Sequence, residues 1–206
     1  GTPRRLSPDA QTFPPRTRTW SPDSKRLVLW RGTSSGAPLV AIDVSTGNES
    51  VLAKGGIGSW SFSPDGRRIV FARARMDGKV NLFVAGADGA DPKQITETGD
   101  AAEPVWGPSS IAFSKIVFGG DSWAKNEVWR IQPDGSRRKT ITGPLPARFQ
   151  RAGFDGLAPI AWSADGRALL AGLTTQAGAE PVAVDPTSGA SRSLTHIDGV
   201  DTVGLS

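Results

Sequence analysis

The stretch FSPDGRRIVF, residues 62–71, returns in altered form as WSPDSKRLVLW at 20–30 and WSADGRALLA at 162–171. A motif used once is a candidate site, whereas one used at intervals is more often architecture. Its aromatic-plus-turn core recurs as Trp20-Ser-Pro-Asp-Ser24, Phe62-Ser-Pro-Asp-Gly66, Trp106-Gly-Pro-Ser-Ser110 and Trp162-Ser-Ala-Asp-Gly166, spaced by 42, 44 and 56 residues. A second element follows each copy: AIDVSTGNESVL, VAGADGADPKQIT, RIQPDGSRRKTIT and AVDPTSGASRSLT. Its turn glycines, Gly47, Gly89, Gly135 and Gly189, are 42, 46 and 54 residues apart. Two independent markers advance together, so the period is real and one unit is enlarged.

Each unit reads as four short strands. The first ends at the aromatic (GSWSF, APIAW) and the second is an apolar run (RLVLW, RIVFA, KIVF, ALLAG). Third strands are PLVAIDV, NLFVAGA, EVWRIQ and PVAVDP; fourth strands are ESVLA, PKQIT, RKTIT and SRSLT. Val, Ile, Leu and Phe runs bounded by Gly, Pro, Asp and Ser are strand punctuation. No segment holds a helical period with a cap, and 25 Gly with 16 Pro oppose long helices. Apolar residues at adjacent positions of the second strands predict sheets covered on both faces. A four-stranded unit of about 40 residues is the signature of a propeller blade.

The expected fold is therefore an all-β propeller of four-stranded antiparallel blades. A single domain over 1–206 carries four complete blades near 17–53, 58–97, 103–142 and 158–195. GTPRRLS at 1–7 matches the fourth-strand pattern of GASRSLT, and 200–206 matches a first strand, so both ends read as partial blades. The expectation is an excised part of a larger propeller, or a chain that needs a second copy to close its ring.

The S-P-D-G chemistry follows from the turn. Pro presets φ for the second position, Asp accepts local backbone hydrogen bonds and Gly supplies φ > 0. Pro22, Asp23, Pro64, Asp65, Gly66, Pro108, Asp165 and Gly166 are accordingly read as turn formers, and Trp20, Phe62, Trp106 and Trp162 as rings filling the wedge between neighbouring blades. The third unit departs from the pattern. GPSS lacks the Asp-Gly and IAFSKIVF carries extra residues, which predicts a looser first turn there.

Composition bounds the rest. With 37% hydrophobic and 21% charged residues, the chain is globular, and no run reaches the roughly 18 apolar residues that span a bilayer. GTPRRLSPDA has no apolar signal core and no initiating Met, so the sequence predicts a targeting segment absent or already removed. There is no Cys, which excludes disulfides and thiol nucleophiles, and one His makes zinc improbable. Net charge is +4, without the basic stripe of a nucleic-acid binder; SRRK at 136–139 reads as a solvated turn.

These motifs resemble those of the TolB-type β-propeller family, whose blades carry a P-x-W-S-P-D-G core and an L-T ending. The match is clearest at WSPDSKRLVLW, SFSPDGRRIVFARA with KQIT, EPVWGPSS, and PIAWSADGRALLAG with SRSLT. The resemblance implies a non-enzymatic binding scaffold in the periplasm or elsewhere outside the cytoplasm, since the family's namesake is a periplasmic protein of the Tol–Pal envelope system. Similar repeats form the gating propellers of prolyl-oligopeptidase-like and tricorn-like peptidases, so the alternative is an accessory propeller of a larger peptidase. Fold does not fix function here.

Catalytic and metal motifs are weak. GTSSG at 32–36 matches G-x-S-x-G formally, with Ser34 as nucleophile, but that elbow needs strand, turn and helix. Here a second strand follows. His196 sits in a blade-to-blade connection, and a triad would require distant geometry. Asp100, Glu103, Asp155, Asp198 and Asp201 enter the innermost strands, where they either cap turns and pair with Arg or Lys, or converge on a channel cation. The former is favoured, so no cofactor and no metal are expected.

Recognition is expected on the rim formed by blade-to-blade loops and by the loops between second and third strands, because variable loops on a rigid scaffold carry binding. The largest insertion, GPLPARFQRAGFDGLA at 143–158, offers Arg148, Phe149, Arg151 and Phe154; GGDSWAKNE at 119–127 offers Trp123 and Lys125. Arg and aromatic residues dominate interface energetics. The insertion either binds a protein or peptide partner or covers the ring.

Overall fold

Successive residues of a strand leave the backbone on opposite faces, and the computed structural model of the protein uses both. It describes residues 18–31, 36–118, 124–141, 154–175 and 178–194. Every regular element among them is a strand.

The first sheet is β1 (Arg18–Trp20), β2 (Arg26–Trp30), β3 (Leu39–Asp43) and β4 (Glu49–Ala53). The second is β5 (Ile57–Phe62), β6 (Arg68–Ala74), β7 (Val80–Gly86) and β8 (Lys93–Gln94). The third is β9 (Ala101–Trp106), β10 (Ile111–Phe118), β11 (Ala124–Ile131) and β12 (Lys139–Thr140), and the fourth is β13 (Phe154–Trp162), β14 (Leu169–Thr175), β15 (Gly178–Val184) and β16 (Ser191–Ser193). Strand order within each sheet follows the sequence, and all neighbours are antiparallel. The four-stranded antiparallel repeat expected from the period is what the chain forms.

β6 shows why both faces are apolar. Ile69 and Phe71 pack with Val28, Leu39 and Leu52 of the first sheet, while Val70 and Ala72 pack with Ile111 and Phe113 of the third. All four β6 side chains are buried. A third core joins Ala112, Val128 and Ile141 to Leu169, Ala171 and Val182 across the third and fourth sheets. Each fully buried side chain of this size stabilises by roughly 1.5–3 kcal/mol, so the stack is held by its faces. The innermost strands add direct bonds: Ser59 Oγ and Ser61 Oγ accept from Glu103 N and Trp106 N, each at 3.1 Å.

In the second, third and fourth sheets the repeated aromatic faces the preceding sheet. Phe62 lies in the core shared with the first sheet and Trp106 in the core shared with the second, at 7% and 8% exposure. Trp162 packs against the third. Trp20 differs: it is 54% exposed, so it does not fill a wedge. Its cross-strand partner Leu27 points away from the second sheet, and no sheet precedes the first among the described residues.

The third unit also departs from expectation. Six residues separate Phe62 from its partner Ile69, but only four separate Trp106 from Ile111, and Gly107 N donates to Ser110 O at 2.8 Å. The turn is tighter, not looser, because losing the Asp-Gly pair shortens it to a single closed reversal. The residues that looked extra extend β10 at its far end. Register therefore sets Phe113, not Phe118, at the position of Phe71.

Candidate binding face

The antiparallel order sends the two turns of each sheet to one rim and the remaining connections to the other. On the turn rim the recurrent carboxylates are engaged locally. Asp65 Oδ1 accepts from Ser63 Oγ at 2.6 Å and Arg67 N at 3.0 Å. Asp23 accepts from Ser21 Oγ at 2.5 Å and Lys25 N at 3.1 Å, and Asp165 from Ser163 Oγ at 2.7 Å and Arg167 N at 3.0 Å. In each case the serine hydroxyl, then the backbone N–H, holds the carboxyl below its ordinary range. In the second turns, Asp43 receives Ser45 Oγ at 2.6 Å and the N–H groups of Ser45 and Thr46 at 2.9 Å, which lowers it to about 2. These geometries describe Asx turns. Asp185 repeats the pattern with Thr187 N and Ser188 Oγ.

The opposite rim is chemically richer. Four residues beyond the partner of the repeat aromatic in each second strand of the first three sheets stands a cation: Arg31, Arg73 and Lys115 are equivalent by register from Leu27, Ile69 and Ile111. Arg73 lies over Phe71 and Phe83, its guanidinium carbon 5.3 and 4.6 Å from their centroids. The two rings are nearly parallel, 5.7 Å apart. Lys115 lies over Trp129 at 5.1 Å, and Arg138 bridges Phe113 and Trp129. Cation–π contacts of this kind contribute roughly 0.5–2 kcal/mol.

Counter-ions distinguish the three positions. Arg31 pairs with Glu49 at 3.3 Å. Asp100 pairs with Lys115 at 3.7 Å and Arg138 at 3.5 Å and accepts from Thr98 Oγ1. Its connection is fixed from beneath, where buried Asn81 Oδ1 accepts from Thr96 Oγ1 at 3.2 Å and Gly99 N at 3.0 Å. Arg73 has no carboxylate partner among the described residues, and its buried Nε donates to no acceptor.

Arg73 instead borders an open groove of about 750 Å³ between the first and second sheets, lined also by Lys54, Gly55, Gly56, Arg75 and Met76. The Arg75 side chain pairs with Asp77, which also lines the groove, across 3.8 Å at the exposed surface.

The binding residues expected from sequence fall largely outside the described residues. Trp123, Arg148, Phe149 and Arg151 lie outside the described residues, and of Lys125 and Phe154 only the strand positions in β11 and β13 are described. Ser34 and His196 also lie outside, although Trp30 and Leu39 pair directly across the GTSSG segment, joining antiparallel strands. Asp155, Asp198 and Asp201 are outside or without a described side chain. Glu103 Oε2 accepts from Ser114 Oγ at 2.7 Å, and no cluster of metal-ligating side chains occurs among the described residues. Arg73 was missed because RIVFARA reads as a plain strand. Its signal is comparative, and emerges only when the units are superposed by register.

Solved structures with the same arrangement include TolB from Acinetobacter baumannii, with a TM-score of 0.69 at 22% identity, over 89% of this chain and 44% of that one. The chain has the fold of a TolB-like β-propeller. A structure assigned as TolB from Agrobacterium tumefaciens gives a TM-score of 0.67 at 20% identity, over 88% and 61%. A prolyl endopeptidase structure gives 0.59 at 17%, over 89% of this propeller and 29% of that chain. This propeller thus spans less than two thirds of either TolB chain. No protein-family model and no curated protein sequence matches it. Among the described residues no helix is long and apolar enough to cross a membrane.

Proposed function

We propose that this propeller is a non-catalytic scaffold that binds a protein or peptide on its connection rim, outside the cytoplasm in the cell envelope. The observation that carries the reading is the division of labour between the rims. Turn-rim carboxylates are consumed by their own Ser and backbone donors, while the connection rim presents an unpaired, aromatic-backed Arg73 beside a groove. Likeness to TolB structures supports the envelope setting. The half-exposed Trp20 face supports completion of the ring by further sheets, from missing blades or a second copy. The proposed site includes the binding residues expected from sequence, Arg148 and Phe149 of the insertion at 143–158 with Trp123 and Lys125.

Capture from an envelope extract tests this. The wild-type chain retains a protein partner, and Arg148→Ala/Phe149→Ala retains less of it. Unchanged capture removes the insertion from the site, and capture of nothing contradicts the scaffold reading.

A second reading, an accessory propeller of a larger peptidase, is favoured by the prolyl endopeptidase neighbour. It requires a G-x-S-x-G elbow and a His in an α/β domain on the same reading frame.

A further inference from the structure

The second and third sheets build the same site twice, and one copy lacks its anion. Ile57 pairs with Arg73 as Ala101 pairs with Lys115. The preceding carbonyls match as well: Gly56 O accepts from Ala74 N at 2.7 Å, and Asp100 O from Ile116 N at 2.8 Å. Gly56 therefore occupies the position of Asp100. Asp100 places a carboxylate against Lys115 and Arg138; Gly56 places nothing against Arg73. Nor can this position supply one, since a Cβ on Gly56 would stand 2.5 Å from Ala74 O at a backbone φ of +60°.

Arg138, over Phe113 and Trp129, has the same buried, undonated Nε but meets Asp100 through a terminal nitrogen; Arg73 has the rings without the carboxylate, a costly arrangement when left alone. Arg73 is held over its two rings, so little rotamer freedom remains to be lost when an anion arrives. Lys54 and Arg75 bring two more cations to the same groove against one carboxylate, Asp77, which pairs with Arg75, and fully exposed Met76 adds an apolar contact at its edge.

We propose that the groove between the first and second sheets binds a carboxylate of an acidic peptide segment, which takes the place that Asp100 occupies one sheet further on. The ligand carboxylate accepts from the terminal guanidinium N–H groups of Arg73, whose Nε is buried beside the rings, and its flanking residues run between Lys54 and Arg75 with an apolar side chain against Met76. The proposal rests on the scaffold reading and names the partner chemistry of its rim.

The test is fluorescence anisotropy of the 206-residue chain with fluorescein-labelled hexaglutamate, against hexaglutamine of the same length. Hexaglutamate binds and hexaglutamine does not; Arg73→Gln weakens binding at least about tenfold, and Lys54→Gln/Arg75→Gln weakens it severalfold. Lys25→Gln removes equal charge from the turn rim and leaves binding unchanged. Should Arg73→Gln fail to fold, the Nε–H resonance of wild-type Arg73 decides, by moving on titration with hexaglutamate. Binding that ignores both groove variants, or an Arg73 resonance that stays fixed at saturation, overturns the assignment. Inorganic phosphate displacing the peptide at lower concentration than free glutamate does would also overturn it, by giving the groove to phosphate-bearing ligands. If envelope capture succeeds while the Arg73 tests fail, the groove falls and the scaffold reading stands.

Discussion

Trp162 lies against Gly107. Its Nε1 donates to Val105 O at 3.1 Å, and a methyl at residue 107 would stand 2.6 Å from the indole ring. Ser21, Ser63 and Ser163 occupy the corresponding place after the other repeat aromatics, whereas at 107 a Cβ would meet the Trp162 indole. Gly107→Ala is expected to lower stability by about 1–3 kcal/mol through overpacking, read as a shifted urea midpoint at unchanged slope. Wild-type stability in that variant would mean the two sheets do not meet there.

The same aromatic carries different weight at different sheets. Trp106→Ala removes a ring buried between the second and third sheets and is expected to cost about 3–5 kcal/mol. Trp20→Thr alters a half-exposed ring and should stay within about 0.5 kcal/mol in the monomer. Urea denaturation of both variants checks the contrast, and equal losses would contradict it.

Asn81 ties the 95–100 connection to β7, and Leu82 N donates to Thr96 Oγ1 at 2.9 Å in the same buried group. Asn81→Ala strands a buried hydroxyl and the Gly99 N–H, which costs about 1–3 kcal/mol. Faster amide exchange at Gly99, with β10 unaffected, is the local signature. Unchanged exchange at Gly99 would show that the connection is fixed otherwise.

Acid sensitivity follows from Asp43. Its folded pKa, lowered to about 2 chiefly by Ser45 Oγ, lies under the ordinary 3.8. The stabilisation is therefore complete above about pH 4 and is lost as pH falls through about 2. Asp43→Asn should melt below wild type at pH 7, with the gap closing between pH 4 and pH 2. A gap independent of pH would remove the carboxylate from the turn's stability.

Much of the fold was legible because its turns are chemically constrained. Gly47, Gly66, Gly89, Gly135, Gly166 and Gly189 all have positive φ, a demand that few residue types meet, so the period survives in the letters. Adjacent apolar residues in RIVF likewise announced a strand buried on two faces. The third unit misled because spelling aligned KIVF with RIVF, whereas a turn two residues shorter moves the register to IAF. The exposure of Trp20 was invisible, since burial depends on which sheet faces the ring and not on its motif. Arg73 escaped for a related reason. What sets it apart is a counter-ion that a different connection supplies to Lys115 and that Gly56 withholds.

Nuclear Overhauser contacts between sheets test the central claim most directly, because strand pairing alone cannot produce them. Face-to-face stacking predicts cross-peaks from the Trp106 ring to the methyls of Val70 and Val84, and from the Trp162 indole to the Gly107 α-protons. A spectrum with contacts only inside each four-stranded unit would contradict it.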